Sequence, residues 1–262
     1  MFGLKLEFFH LCCTMSLLKR LFKREPKLPP ADYSVLGTDM HSHFIPGIDD
    51  GAKTMEDSLE LIKGMQELGY KKVITTPHIM SDYYRNTPEI ILGGLEKVRA
   101  ALKENNIDME IEAAAEYYTD YDLEEKIEKK ELLTFGDNYV LFELPFISEP
   151  AILGSVTFNM QTAGYRPILA HVERYTFWHR DFNKCIDMKD KGVLLQLNIN
   201  SLTGFYGPDV KKIGERLIDE DMIDIVGSDC HHMNHIQLMK ECRTQKYLHK
   251  ILEKPDLLNK SL

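Results

Sequence analysis

Paired cysteines, a long uninterrupted apolar run and an excess of positive charge are all missing from this 262-residue chain, and each absence removes a class of protein. The five cysteines, Cys12, Cys13, Cys185, Cys230 and Cys242, are odd in number and form no CxxC pair. That argues against a disulfide framework or a thiolate zinc site and fits a reducing cytoplasm. Lys5, Glu7 and His10 interrupt the first apolar stretch and Lys19 and Arg20 follow it, so neither a transmembrane span nor a signal peptide is expected. A formal charge of −9 speaks against a nucleic-acid partner. Any phosphate-bearing partner would need a focused positive site.

What is present is ordinary globular material, 44% hydrophobic and 28% charged, in a length that suits one α/β barrel domain. Residues 1–34 stand apart as a basic amphipathic segment with a proline-rich linker. From Met15, a second candidate start, Leu17, Leu18, Leu21 and Phe22 alternate with Lys19, Arg20, Lys23 and Arg24 before Pro26, Pro29 and Pro30 stiffen the chain. Residues 15–25 would suit peripheral contact with an anionic membrane, and equally a solvated leader.

Residues 35–262 alternate β-rich runs with helix-period segments, the signature of parallel strands with crossover helices. Seven strands are expected: "VLGTDMH" (35–41), "KVITT" (72–76), "MEIEAAA" (109–115), "YVLFEL" (139–144), "PILAH" (167–171), "VLLQLNI" (193–199) and "IDIVGS" (223–228). Thr54 with Asp57 caps a first helix that buries Met55, Leu59, Ile62 and Met65, and Thr87–Pro88 opens the next. The repeat reads as a closed or nearly closed barrel, with an open doubly wound sheet as the alternative.

The acids and histidines follow this map. His41 and His43 end the first expected strand, His78 the second, Glu116 the third, Glu143 the fourth, His171 the fifth, and Asp229 with His231 the seventh. Asp50 sits in the glycine-flanked loop after the first. Parallel barrels build their sites from the carboxyl ends of different strands, so these nine side chains should meet at one mouth. Four carboxylates buried among five imidazoles need cations. A His/Asp/Glu set without thiolate suits manganese, iron or zinc, and its size implies two or three ions with a bridging carboxylate.

The motifs "DMHSH", "DDG", "TPH", "AAAEYY", "LFELPF", "AHVERY" and "GSDCHH", in this order over roughly residues 37–252, resemble those of the polymerase and histidinol phosphatase (PHP) superfamily. Within it, "HSHFIPGIDDGAKT" is similar to the bacterial manganese-dependent protein tyrosine phosphatases of capsule and exopolysaccharide gene clusters, the CpsB/CapC type. The resemblance implies a distorted seven-stranded (β/α)7 TIM-like barrel with a trinuclear Mn2+ site. It also implies cytoplasmic dephosphorylation of a phosphotyrosine-bearing protein, a bacterial tyrosine kinase that controls polysaccharide export.

Carried over by motif, the resemblance gives His41, His43, Glu116 and Asp229 to a first metal, bridging Glu116 with Glu143 and His171 to a second, and Asp50, His78 and His231 to a third. Arg174 matches the phosphate-binding arginine, so Arg174 and Asp229 are the catalytic candidates. A second arginine that many relatives carry is replaced here by His232, Asn234 and His235. The chemistry expected is in-line attack by metal-activated water without a phosphoenzyme. No cysteine is followed six positions later by arginine, as a thiolate phosphatase requires. Tyr83, Tyr84, Tyr117 and Tyr118 are candidates for an aromatic slot around a phenyl ring. A small-molecule phosphatase of the histidinol phosphatase kind, a proofreading nuclease and a noncatalytic metal-retaining module are the alternatives.

Overall fold

In the computed structural model, which describes residues 28–262, the apolar runs become parallel strands flanked by helices. The strands are β1 (Thr38–Asp39), β2 (Lys72–Thr75), β3 (His78–Ile79), β4 (Glu110–Ala113), β5 (Glu116–Tyr118), β6 (Tyr139–Glu143), β7 (Arg166–Leu169), β8 (Leu194–Asn198) and β9 (Ile225–Gly227). They pair in the orders β1-β2-β4 and β3-β5-β6-β7-β8-β9, and every pairing is parallel.

These nine segments replace the seven strands expected. One break falls at Pro77, which has no N–H to give to a ladder. Its neighbour breaks beside it, at Ala114–Ala115. The ladder nevertheless bridges the gap, because Ala114 N donates to Thr75 O (2.9 Å) and Glu116 N to Pro77 O (3.1 Å). The first strand starts late, since Tyr33–Val35 is a 3-10 turn capped by Asp32 and Gly37 turns with φ +72°.

The ends of the chain of strands meet. Ser42 and Cys230 form a parallel bridge, Asp229 N donates to His41 O (2.8 Å), and His43 N donates to Cys230 O (3.0 Å). Asp39 adds a side-chain stitch by accepting from Ser228 N and Ser228 Oγ, both at 2.8 Å. These contacts support the closed or nearly closed barrel over the open doubly wound sheet.

Side chains alternate across the strands and sort the core in two. Met40, Ile74, Ala114, Leu141, Ile168 and Ile225 form one buried cluster, while Val73, Val140, Phe142, Leu169 and Val226 belong to the other, shared with the helices. Glu116 and Glu143 lie two residues beyond Ala114 and Leu141, one step above the inner plug and at its polar rim. Around the outside, α1 (Met55–Leu68) begins with the expected capping box of Thr54 and Asp57, and α2 (Pro88–Glu104) with Thr87 and Pro88. Met55 and Leu59 are only partly buried, and Leu61 and Leu68 join Ile62 and Met65 on the buried stripe of α1 instead. The amphipathic segment at 15–25 lies outside the described residues. Among the described residues, no helix is long and apolar enough to cross a membrane.

Candidate metal centre

The eight residues singled out at strand ends and Asp50 from its loop converge on one mouth. Glu116 lies at the centre, fully buried. Its Oε2 is 3.1 Å from His41 Nε2, 3.5 Å from His43 Nε2 and 3.2 Å from His78 Nδ1, and its Oε1 is 3.0 Å from His171 Nε2. Asp229 Oδ1 lies 3.3 Å from His41 Nε2, 3.5 Å from His43 Nε2 and 3.4 Å from His231 Nδ1. Asp50 Oδ1 approaches His78 Nε2 (3.5 Å) and His231 Nε2 (3.3 Å), while Glu143 sits 3.2 Å from His78 and 3.8 Å from His171.

Among the described residues, three groups of donor atoms emerge: His41, His43, Glu116 and Asp229; His43, Asp50, His78 and His231; and His78, Glu116 and Glu143. The first is the set expected for the first metal. The other two depart from the expectation: His43 joins the Asp50 group, and His78 rather than His171 groups with Glu116 and Glu143.

Donor chemistry and geometry fit metal ions. His43 Nε2, His78 Nδ1 and His171 Nδ1 are buried without a hydrogen bond. The first two sit within 3.5 Å of carboxylate oxygens yet off the line a hydrogen bond needs. Opposite ring nitrogens are anchored: His43 Nδ1 donates to Asp49 Oδ2 (2.8 Å), His41 Nδ1 to Gln196 Oε1 (3.2 Å) and His231 Nδ1 to the Asp229 carbonyl (2.9 Å). Each anchor turns Nε2 toward the carboxylates, the arrangement that presents an imidazole lone pair to a cation.

The electrostatics show what the cluster demands. Burial alone would raise the pKa of Glu116 and Asp229, but the imidazoles around them hold both well below the usual carboxylate range. Burial opposes protonation of His78, yet Glu116 and Glu143 outweigh it and lift the ring to about 9. Burial likewise opposes protonation of His41 and His43, but Glu116 and Asp229 raise the first and Asp49 and Asp229 the second, while Asp50, despite its partial burial, is lowered to about 2 by His231 and His78. Without cations, protons would have to neutralise this much buried carboxylate.

Asp49, Gln196 and Asn198 carry roles that the motifs did not mark. Asp49 also accepts from His78 N (3.2 Å), Gln196 Oε1 also accepts from His171 N (2.8 Å), and Asn198 Nδ2 donates to Asp229 Oδ2 (3.0 Å). The only signals were the first aspartate of "DDG" and lone amides inside the apolar "VLLQLNI". Gly51 is required where it is: a methyl group there would collide with the His43 carbonyl oxygen and Cβ. His171 (φ 32°) and Asp229 (φ 48°) adopt left-handed backbone that non-glycine residues avoid, a cost commonly held at functional sites.

Above the donors opens a cavity of about 310 Å³. Arg174 lines it, its Nη1 donating to Asp229 Oδ2 (2.8 Å) and its guanidinium lying between the rings of Phe146 and Tyr206. His232 and His235 line it too, and burial next to His232 lowers His235 to about 4, which leaves that ring neutral near pH 7. The tyrosine slot does not form here. Tyr117 is buried with its hydroxyl accepting from Leu133 N (2.7 Å), Tyr118 lies beside it around a separate small pocket, Tyr83 is 78% exposed, and Tyr84 stacks on His78 at 5.5 Å. Nor is a thiolate available among the described residues: burial pushes the Cys185 and Cys242 thiols up to about 12 and Cys230 well above its usual value.

Residues 37–256 match the family model described as capsular polysaccharide synthesis, CpsB/CapC. The chain belongs to the CpsB/CapC family. It is 29% identical over 217 residues to the tyrosine-protein phosphatase YwqE of Bacillus subtilis (strain 168), covering 82% of this chain and 84% of that protein. It is also 29% identical over 202 residues to the tyrosine-protein phosphatase CpsB of Streptococcus pneumoniae, covering 75% and 83%. In three dimensions it superposes, with a TM-score of 0.75 and 25% identity, on a crystal structure from work on YwqE and CpsB, which are described there as metal-dependent tyrosine phosphatases. That match spans 86% of this chain and 90% of the other. The α/β architecture expected from the motifs is thus the one this CpsB/CapC chain shares with them.

Proposed function

We propose that this chain is a metal-dependent protein tyrosine phosphatase that hydrolyses phosphotyrosine on a bacterial tyrosine kinase controlling capsule or exopolysaccharide synthesis. The observation that carries the reading is the sharing of one buried carboxylate, Glu116, by four imidazoles beneath a cavity that also holds an arginine. Family membership and the names of the relatives support it. Manganese is the ion we favour for this nitrogen and oxygen donor set, with iron or zinc as substitutes, bound as two or three ions.

Bound cations supply a lowered water pKa and neutralise phosphoryl charge. The remaining work falls to the chain's own residues. His41, His43, Glu116 and Asp229 would hold one ion, Glu116 with Glu143 and His171 or His78 a second, and Asp50, His78 and His231 a third. Asp49 and Gln196 fix the imidazoles so that little reorganisation is needed when substrate arrives. Arg174 orients Asp229 through Nη1 and, as a planar fork with five donors, has further N–H groups for phosphoryl oxygens. Residues 35–262 would form the phosphatase domain, acting in the cytoplasm, while 1–34 would supply peripheral membrane contact through 15–25. No nucleic acid takes part in this scheme.

The test combines metal analysis of the purified chain with manganese-dependent hydrolysis of a phosphotyrosine peptide, a phosphoserine peptide and histidinol phosphate. Preferential turnover of phosphotyrosine with bound metal supports the reading. Faster turnover of histidinol phosphate would move the chain to the small-molecule phosphatases.

A further inference from the structure

Flat side chains form a connected rim around the cavity. Phe146 stacks on His171 with ring centroids 5.5 Å apart, and the Arg174 guanidinium lies 4.7 Å from the Phe146 ring and 4.3 Å from that of Tyr206. Tyr206 meets Phe205 edge-on at 4.9 Å, and Phe205 continues to His235 at 5.7 Å. Two members of this rim are large apolar groups left open to water: Phe146 is 44% exposed and Phe205 46%. Both line the same cavity as Asp50, Glu116, Glu143 and Asp229.

The site is therefore polar at its floor and aromatic at its walls. A phosphoryl group seated near the floor must send its ester substituent outward past those walls. An alkyl substituent would gain little there, whereas a phenyl ring can stack or meet the walls edge to face. None of the tyrosines expected for this role lines the cavity: Tyr117 is engaged by Leu133 N, and Tyr84 stacks on His78.

We propose that Phe146 and Phe205 are specificity-determining residues that receive the phenyl ring of an aryl phosphate where the polar floor ends. The assignment rests on the phosphatase reading and adds the residues that make the site select aryl over alkyl esters. Phe146 has a second duty, because His171 and Arg174 lean on it. Phe205 lies one step further out, against Tyr206 and His235, and so reports the wall more cleanly.

The experiment uses the full manganese-loaded chain and two readouts: calorimetric binding of phenylphosphonate against methylphosphonate, and turnover of phosphotyrosine against phosphoserine peptides. Wild type should bind phenylphosphonate about tenfold more tightly than methylphosphonate. Phe205→Ala and Phe146→Ala should shrink that preference several-fold, Phe205→Tyr should restore it, and the manganese content of Phe205→Ala should equal that of wild type. The peptide selectivity should fall in step, through KM more than kcat. An unchanged phenyl preference in both alanine variants, or equal losses for phenyl and methyl ligands, would overturn the rim assignment even if phosphotyrosine is hydrolysed. A wild type that prefers phenylphosphonate through Phe205 but hydrolyses neither peptide would support the rim and retire the phosphatase reading.

Discussion

The floor and the mouth of this one site are built in opposite ways. His41, His43, Glu116 and His171 at the floor are buried to within 1% of complete exclusion, and hydrogen bonds between residues 55 to 155 positions apart hold His41, Glu116 and His171 in place. At the mouth, Phe146 is 44% exposed and Phe205 46%, and Arg174 keeps 21% of its side chain exposed. The difference separates assembling charge from choosing substrate. A floor locked by strands can hold cations in fixed positions, while a mouth made from loop residues can select what reaches them.

Breaking the floor should have the largest effect. Glu116→Gln removes the charge shared by two of the donor groups, and Asp229→Asn that of the first. Either should lower activity by about three orders of magnitude or more and empty at least one metal position, with the fold kept. Circular dichroism with metal analysis separates this from unfolding, and full metal content beside full activity would contradict it.

Arg174→Ala comes next and probes the boundary between the regions. It should cut turnover about a hundredfold, the usual cost of one electrostatic donor, with manganese content unchanged. Arg174→Lys should recover little, since a point charge cannot replace a planar fork. Kinetics near wild type would reduce Arg174 to an ion pair with Asp229.

The supports of the floor should matter less than its donors. Asp49→Ala frees the His43 ring and should weaken manganese binding about 10- to 100-fold, measured by titration with a competing chelator. Gln196→Ala should act similarly through His41. If both left the affinity unchanged, the anchored ring nitrogens would not be setting the donors.

The smallest effect expected is on the pH dependence of metal-free protein. His78 titrates near 9 in the fold, above the ordinary imidazole value, because Glu116 and Glu143 overcome its burial. Its protonation therefore contributes stability that is fully present below about pH 6.5 and fades as pH rises through about 9. The Tm of metal-free protein should drop across that interval, and manganese should flatten the slope. A flat profile without metal would show that the imidazoles are not neutralising the carboxylates.

How legible the site was in the sequence follows the same division. His41, His78, His171 and Asp229 could be placed because an apolar strand ending in a ligand residue leaves a short-range pattern, and strand ends in a barrel share one face. Gln196 left no such trace: its partners His41 and His171 are 155 and 25 residues away. Phe146 and Phe205 sit in loops whose path is set by packing rather than by periodicity, so tyrosines nearer the motifs were the natural choice. The breaks at Pro77 and at Ala114–Ala115 escaped for a related reason. Proline signalled an interruption, but its echo in the neighbouring strand arises only once the two are paired.

Whether Glu116 joins several cations in one shared centre can be decided by counting them. Manganese per chain should be measured in wild type and in Glu116→Gln after saturation and removal of loosely held ion. Two or three ions are expected in wild type, with the loss of at least one in the variant while the fold persists. A single ion in wild type, or an equal number in both proteins, would contradict a shared centre.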